Sequence, residues 1–184
     1  RAELARVLGV DVRQVSHLLR DPVAQGTAAT RSKCPGPERT LLELLLVRPD
    51  LIDRFLEKGS PSLLSHEEAR EVLQDLINAA MTGSDPAESM VIEAVNGGPL
   101  RTEVVRVLQE PERFPDPDTE FEQTMMRLDI AELEREQRRI SEDERLLWEA
   151  DKPEEAGKLA IQRRDVVGRI NELKRAIPTV VGRP

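Results

Sequence analysis

Apolar positions in the last third of the chain repeat at helical intervals, and the repeat predicts two long helices. The first carries Met126, Ile130, Leu133 and Ile140, spaced four, three and seven apart. The second carries Leu159, Val166, Ile170, Leu173 and Ile177, spaced seven, four, three and four. Residues at those intervals share one face of an α-helix, here a narrow seam rather than a broad stripe. A short break, Glu149-Ala150-Asp151-Lys152-Pro153, separates the two segments. Helices joined by so tight a turn bury their seams against each other, so residues 118–177 are expected to form an antiparallel hairpin. Asp151 to Glu154 is the expected cap of the return helix. Lys174 and Arg175 lie in its last turn, where cations suit the negative end of the helix dipole. Thr119-Glu120-Phe121-Glu122 is the expected capping box of the first helix, and Phe121 also suits packing back onto what precedes it.

Residues 38–117 show shorter periods and predict about five short helices. Thr40 to Val47 is nearly continuous Leu, a helix buried on most sides, and Pro49 ends it. Asp50 is expected to cap Leu51–Lys58, with Gly59 and Pro61 stopping that helix. Ser65 followed by Glu68 reads as a capping box for a helix that buries Ala69, Val72, Leu73, Leu76 and Ile77. Asp85-Pro86-Ala87-Glu88 opens the next helix in the same way, and Asn96-Gly97-Gly98-Pro99 closes it. Leu100 to Gln109 is a further short helix with Val104, Val105 and Leu108 inward. None of these persists alone, so together they are expected to share one core.

At the front, residues 2–20 read as two short helices meeting at Leu8-Gly9-Val10-Asp11. Gly9 suits the turn and Asp11 the cap, as in a helix-turn-helix unit. Two helices meeting at any tight turn give the same pattern. Residues 21–37 are rich in Pro, Gly and small residues and are expected to be a linker, which if flexible spans about 20–25 Å. The chain begins inside a helical pattern with Arg rather than Met, and is expected to be a piece of something longer.

Composition supports an all-α fold: a short helical bundle followed by a long helical hairpin. Charged residues make up 34% of the 184 and aromatics 2%, with no Tyr, which suits helices packed through aliphatic side chains. The net charge of −8 opposes non-specific binding to phosphates, but it is uneven, +3 over residues 1–39 and −11 over the rest. A single cysteine, Cys34, excludes an internal disulfide and points to a reducing setting. No apolar run reaches the ~20 residues of a membrane span.

Chemistry is sparse. Phosphate-binding loops, nucleophile elbows and His/Cys metal spacings are absent from the sequence. His17 and His66 lie apart, and His66 is expected to face solvent. The acidic pairs Glu67-Glu68, Glu142-Asp143-Glu144 and Glu154-Glu155 sit on helix starts or charged helices, where solvated surface explains them. No catalytic residue, cofactor site or metal site is assigned. Leu146-Leu147-Trp148, beside the hairpin turn, is the better signal. Only some of these three side chains have room to face the partner helix, and Trp is enriched among residues that carry interface energy. Trp148 either folds over the turn or presents itself to a partner.

The order of these parts resembles the C-terminal region of bacterial DNA primase, the DnaG family. The features that carry it are the helix-turn-helix-like end, the Pro-rich linker, Glu38-Arg39-Thr40-Leu41-Leu42-Glu43-Leu44-Leu45-Leu46 followed by Pro49-Asp50-Leu51, and the charged terminal hairpin. The resemblance covers essentially the whole chain. It implies that residues 1–20 end the polymerase core and that residues 38–117 form a helical subdomain. It also implies that residues 118–177 dock on the hexameric replicative helicase of the DnaB type, at bacterial, cytoplasmic replication forks. The family's zinc and Mg²⁺ sites, its nucleotidyltransferase activity and most of its contact with single-stranded DNA would lie upstream of Arg1. Contact residues do not carry over individually, so the local reading supplies the partner-binding candidates: Leu146, Leu147, Trp148, Arg169 and Arg175. The competing expectation is a transcription regulator, with residues 1–20 reading DNA and the hairpin dimerising.

Overall fold

A helix with leucines on most of its sides has to be surrounded, and the Leu-rich segment that opens the described residues is surrounded. The computed structural model describes residues 33–94, 98–110 and 112–177, and among them the chain is all-helical, with seven α-helices and no strand. The expected helices of residues 1–20, most of the 21–37 linker, Asn96-Gly97 and the tail after Ile177 lie outside the described residues. In order come α1 (Gly36–Val47), α2 (Leu51–Lys58), a 3-10 turn (Pro61–Leu63), α3 (Glu67–Met81), α4 (Pro86–Ala94) and α5 (Pro99–Val105). A second 3-10 turn (Arg106–Gln109), α6 (Pro117–Glu149) and α7 (Pro153–Ala176) complete it. The chain divides into two compact units, with the boundary inside α6 after Thr124.

In the first unit, Leu41, Leu42, Leu44, Leu45 and Leu46 of α1 are all buried. The helix packs against α2, α3, α4, α5 and the second 3-10 turn, which explains why one short segment needs so many leucines. All five residues expected inward on α3 are buried, as are Leu51, Ile52 and Phe55 of α2. On the segment after Pro99 the expectation needs correction. Val104 and Val105 are buried, but Val107 is buried in place of Leu108, which is half-exposed. The helix tightens to 3-10 winding at Arg106. At three residues per turn rather than 3.6, the inward face shifts by a residue.

Helix starts in this unit are held differently from the expected local caps. Asp50 has helical dihedrals and makes no cap bond to α2; its carboxylate instead accepts from Arg48 at 2.7 and 2.8 Å. The Ser65/Glu68 capping box does not form, because each residue serves a tertiary contact. Glu38 of α1, 2% exposed, accepts from the Ser65 amide at 2.9 Å, the His66 amide at 3.0 Å and the Ser65 hydroxyl. Those groups lie at the entrance to α3. Glu68, in the first turn of α3, accepts from the Leu100 amide at the start of α5 at 3.2 Å. A Cβ at Gly98 would collide with that same Glu68 carboxylate, so glycine is what lets the two helices approach. The orphan amides of α3 and α5 are thus satisfied by carboxylates borrowed from other helices, which also suits the positive end of each helix dipole. His66 is half-buried rather than solvent-facing, with its Nδ1 buried and unpaired. Only α4 has the local cap expected of it: the Asp85 carboxylate accepts from the Ala87 amide at 2.8 Å.

A second buried carboxylate, Glu43, is 3% exposed and accepts from Arg113 at 2.7 Å, with Arg39 at 3.6 Å. Burial pushes its carboxyl above the ordinary value, and the two guanidiniums oppose that shift. Half-buried Cys34 has its thiol pushed up to about 12, chiefly by burial and then by the nearby Glu38 carboxylate. A thiol so held is a poor nucleophile.

The start of α6 belongs to this unit. Phe121 is fully buried, under the Arg54 guanidinium 5.2 Å from its ring centre. Arg54 also pairs with Asp118 and, at 2.6 Å, with Glu122, and Lys58 reaches Glu122 at 2.7 Å. The expected Thr119–Glu122 capping box is replaced by Asp116, one residue before Pro117. Its carboxylate accepts from the Thr119 amide at 3.1 Å and the Thr119 hydroxyl at 2.7 Å. Glu122 is thereby spent on α2.

In the second unit, Ile130, Leu133 and Ile140 of α6 and Val166 and Ile170 of α7 form one buried cluster, edged by Leu159, Leu173 and Ile177. Lys174 reaches Glu134 at 2.8 Å and Arg163 reaches Glu144 at 2.9 Å. Partner numbers fall along α7 as they rise along α6, so within this unit the two helices run in opposite directions. Met126, expected on the seam, is half-buried, while Met125 and Leu128 are buried.

Two outcomes follow for stability. Replacing Glu38 with Ala removes the acceptor of two part-buried amides and a hydroxyl and is expected to cost about 2–3 kcal/mol, with Glu38→Gln intermediate; urea midpoints at constant slope measure it. Glu122 is held below its ordinary 4.5, first by the hydrogen bond from Lys58, and Asp116 below its ordinary 3.8 by Thr119. The stability these acids confer is complete above those ordinary values and is lost as pH falls through the depressed ones. The thermal midpoint is therefore expected to fall in acid, and Glu122→Gln to make that fall shallower.

Candidate docking site

The turn between α6 and α7 is closed by backbone bonds rather than by the cap expected from Asp151. Asp151 has φ 56°, the left-handed region, and Lys152, which precedes α7, makes no side-chain cap bond. The Asp151 amide donates to the Trp148 carbonyl at 3.2 Å, and the Lys152 amide donates to the Leu147 carbonyl at 3.0 Å. This pair is the Schellman closure of a helix C-terminus, usually made with glycine at the left-handed position. It fixes the last turn of α6 and with it the three large apolar residues.

Those three part ways. Leu147 is half-buried, Leu146 is 49% exposed and Trp148 is 56% exposed. More than half of Trp148 is thus uncovered. It borders an open groove of about 530 Å³, lined also by Ser141, Glu144, Arg145, Glu149 and Arg163. Ser141, Arg145 and Trp148 recur at four and three along α6, which places them on one helical strip. Arg163 comes from α7 and is anchored by Glu144.

Every cation at the groove is engaged. Arg145 bridges Glu142 and, at 2.6 Å, Glu149. The bond from Arg145 holds the Glu142 carboxyl below its ordinary value. No group of His, Cys, Asp and Glu able to hold a metal occurs among the described residues, and no helix there is long and apolar enough to cross a membrane.

The remaining candidates lie elsewhere. Arg169 and Arg175 are exposed, six and twelve residues beyond Arg163 on α7, or about 9 and 18 Å further along the helix. Arg169 faces Asp129, whose carboxyl is raised chiefly by burial. The structure thus gathers Trp148 with Arg145 and Arg163, and leaves Arg169 and Arg175 outside that groove. The Glu142/Arg145/Glu149 set is readable from its three- and four-residue spacing; the Arg163–Glu144 pair is not, because it depends on the register between helices.

No family model, no curated protein and no solved structure matches the chain.

Because Asp151 occupies a conformation that glycine adopts without steric cost, Asp151→Gly is expected to stabilise the second unit by about 0.5–1 kcal/mol. A higher thermal midpoint by circular dichroism would show it; an unchanged or lower one would mean that the Asp151 side chain contributes to the turn.

Proposed function

We propose that this chain is the helicase-interaction region of a bacterial DNA primase, built as a helical bundle followed by a docking hairpin. The observation that carries this reading is the exposed Trp148, with Leu146, in the last turn before the hairpin closes. A Trp more than half exposed beside an open groove is uncovered apolar surface at a defined position, which is what an interface anchor requires. Support also comes from the Leu-rich α1 and the Pro49-Asp50-Leu51 that follows it, on which the resemblance to the DnaG family rests.

On this reading the chain recruits rather than catalyses. Primer synthesis belongs to the polymerase core of such a primase, and the arm holds that core near freshly unwound single strand. Covalent linkage raises the core's effective concentration there, to an extent set by the reach of the linker. Within the first unit, Phe121 and its ionic neighbours hold the first turns of α6 against α2.

A pull-down of a bacterial replicative helicase hexamer by the intact chain tests this directly. Binding is expected, and Trp148→Ala or Leu146→Ala is expected to weaken it about tenfold or more. Failure of the intact chain to bind would remove the recruitment reading. Binding that ignores both substitutions would move the contact away from the turn and leave recruitment standing.

A further inference from the structure

The groove beside Trp148 lies at the most acidic end of the second unit. Residues 142–155 hold seven carboxylates against two cations, Arg145 and Lys152, a net charge of −5. Both cations are already occupied: Arg145 by Glu142 and Glu149, and Lys152 by Glu155 at 3.5 Å. Glu144 is matched by Arg163. Asp143, Asp151 and Glu154 are exposed and have no cation paired with them among the described residues. Uncovered apolar surface and unmatched negative charge thus occur together at the turn end of α6–α7.

We infer that the turn end of α6–α7 docks a basic, amphipathic protein surface, an apolar side chain seated against Trp148 and flanking Lys or Arg facing Asp143, Asp151 and Glu154. This deepens the docking reading and rests on it for the identity of the site. Charge complementarity selects the occupant. A second copy of the same end would bring like charges together, and a nucleic acid would bring phosphates to an end whose carboxylates outnumber its cations. A basic partner gains in two ways. The unmatched carboxylates steer its approach, and they are the ones left once the internal pairs are made. Trp148 and Leu146 then supply contact area with few rotatable bonds to freeze.

Trp148 is the single Trp of the chain, so its emission reports occupancy without a label. The probes are a designed helix with leucines on one face flanked by lysines, the same helix flanked by glutamates, and a single-stranded oligonucleotide. The lysine helix alone is expected to shift Trp148 emission to the blue, with affinity falling about fivefold or more between about 50 and about 500 mM salt. The triple variant Asp143→Asn, Asp151→Asn, Glu154→Gln, with unchanged helical circular dichroism, is expected to bind it about tenfold more weakly. An equal response to the two helices, a response to the oligonucleotide, or no response to the lysine helix would each overturn the inference. The helicase hexamer separates the two claims. If it binds the triple variant as it binds the parent, the three carboxylates are irrelevant and the recruitment reading stands. If it does not bind the parent, recruitment falls, and the peptide arms alone decide the chemistry of the site.

Discussion

The first unit depends on the carboxylate of Glu38. It sits in the first turn of α1 at 2% exposure, where the helix dipole alone does not offset the burial of a charge. What compensates is a set of donors brought from the entrance to α3: two amides and a hydroxyl. A carboxylate that accepts several hydrogen bonds at a helix start is stabilised by them and by the local dipole. The arrangement repeats one step further on, where Glu68 of α3 receives the Leu100 amide and Gly98 leaves room for it. In this way α1 positions α3 and α3 positions α5, so the helices are tied polar end to side as well as through the leucine core.

The second unit is held together with much less. Five buried aliphatic residues form its centre, and the ion pairs flanking them, Lys174–Glu134 and Arg163–Glu144, are partly exposed. Exposed pairs of that kind contribute little each, so the seam and the closed turn carry most of the stability. A thin seam has a functional consequence. Residues that would cover one another in a wider bundle stay uncovered here, and Trp148 and Leu146 are the largest of them near the turn.

Exposed apolar surface and unpaired charge occur together at one end of the second unit, and on the docking reading they serve one protein contact. Either feature alone has an ordinary explanation: single surface hydrophobes are common, and acidic helix ends are usually just solvated. Trp148 offers area, and the unmatched carboxylates offer orientation and faster encounter. Within the first unit, the start of α6 is anchored separately, through Phe121, Arg54 and Lys58.

The sequence by itself determined the helix class, the buried face of α3, the seam of α6 and α7 apart from Met126, and the place of the turn. All of these follow from residue spacing, which a helix converts directly into faces. It also marked Leu146, Leu147 and Trp148 as too many apolar residues for so narrow an end. Tertiary structure alone decided which of the three is covered, and that Arg163 rather than Arg169 or Arg175 shares the groove, because both depend on the register between two helices. It decided the caps as well. Ser65, Glu68, Asp50 and Glu122 have the residue types of local caps, yet each is drawn to a partner elsewhere: Ser65 to Glu38, Glu68 to the Leu100 amide, Asp50 to Arg48, and Glu122 to Arg54 and Lys58. A polar side chain near a helix start pairs with whichever donor the fold brings within reach, and for Glu68 and Glu122 that donor comes from another helix, which spacing along the chain does not record.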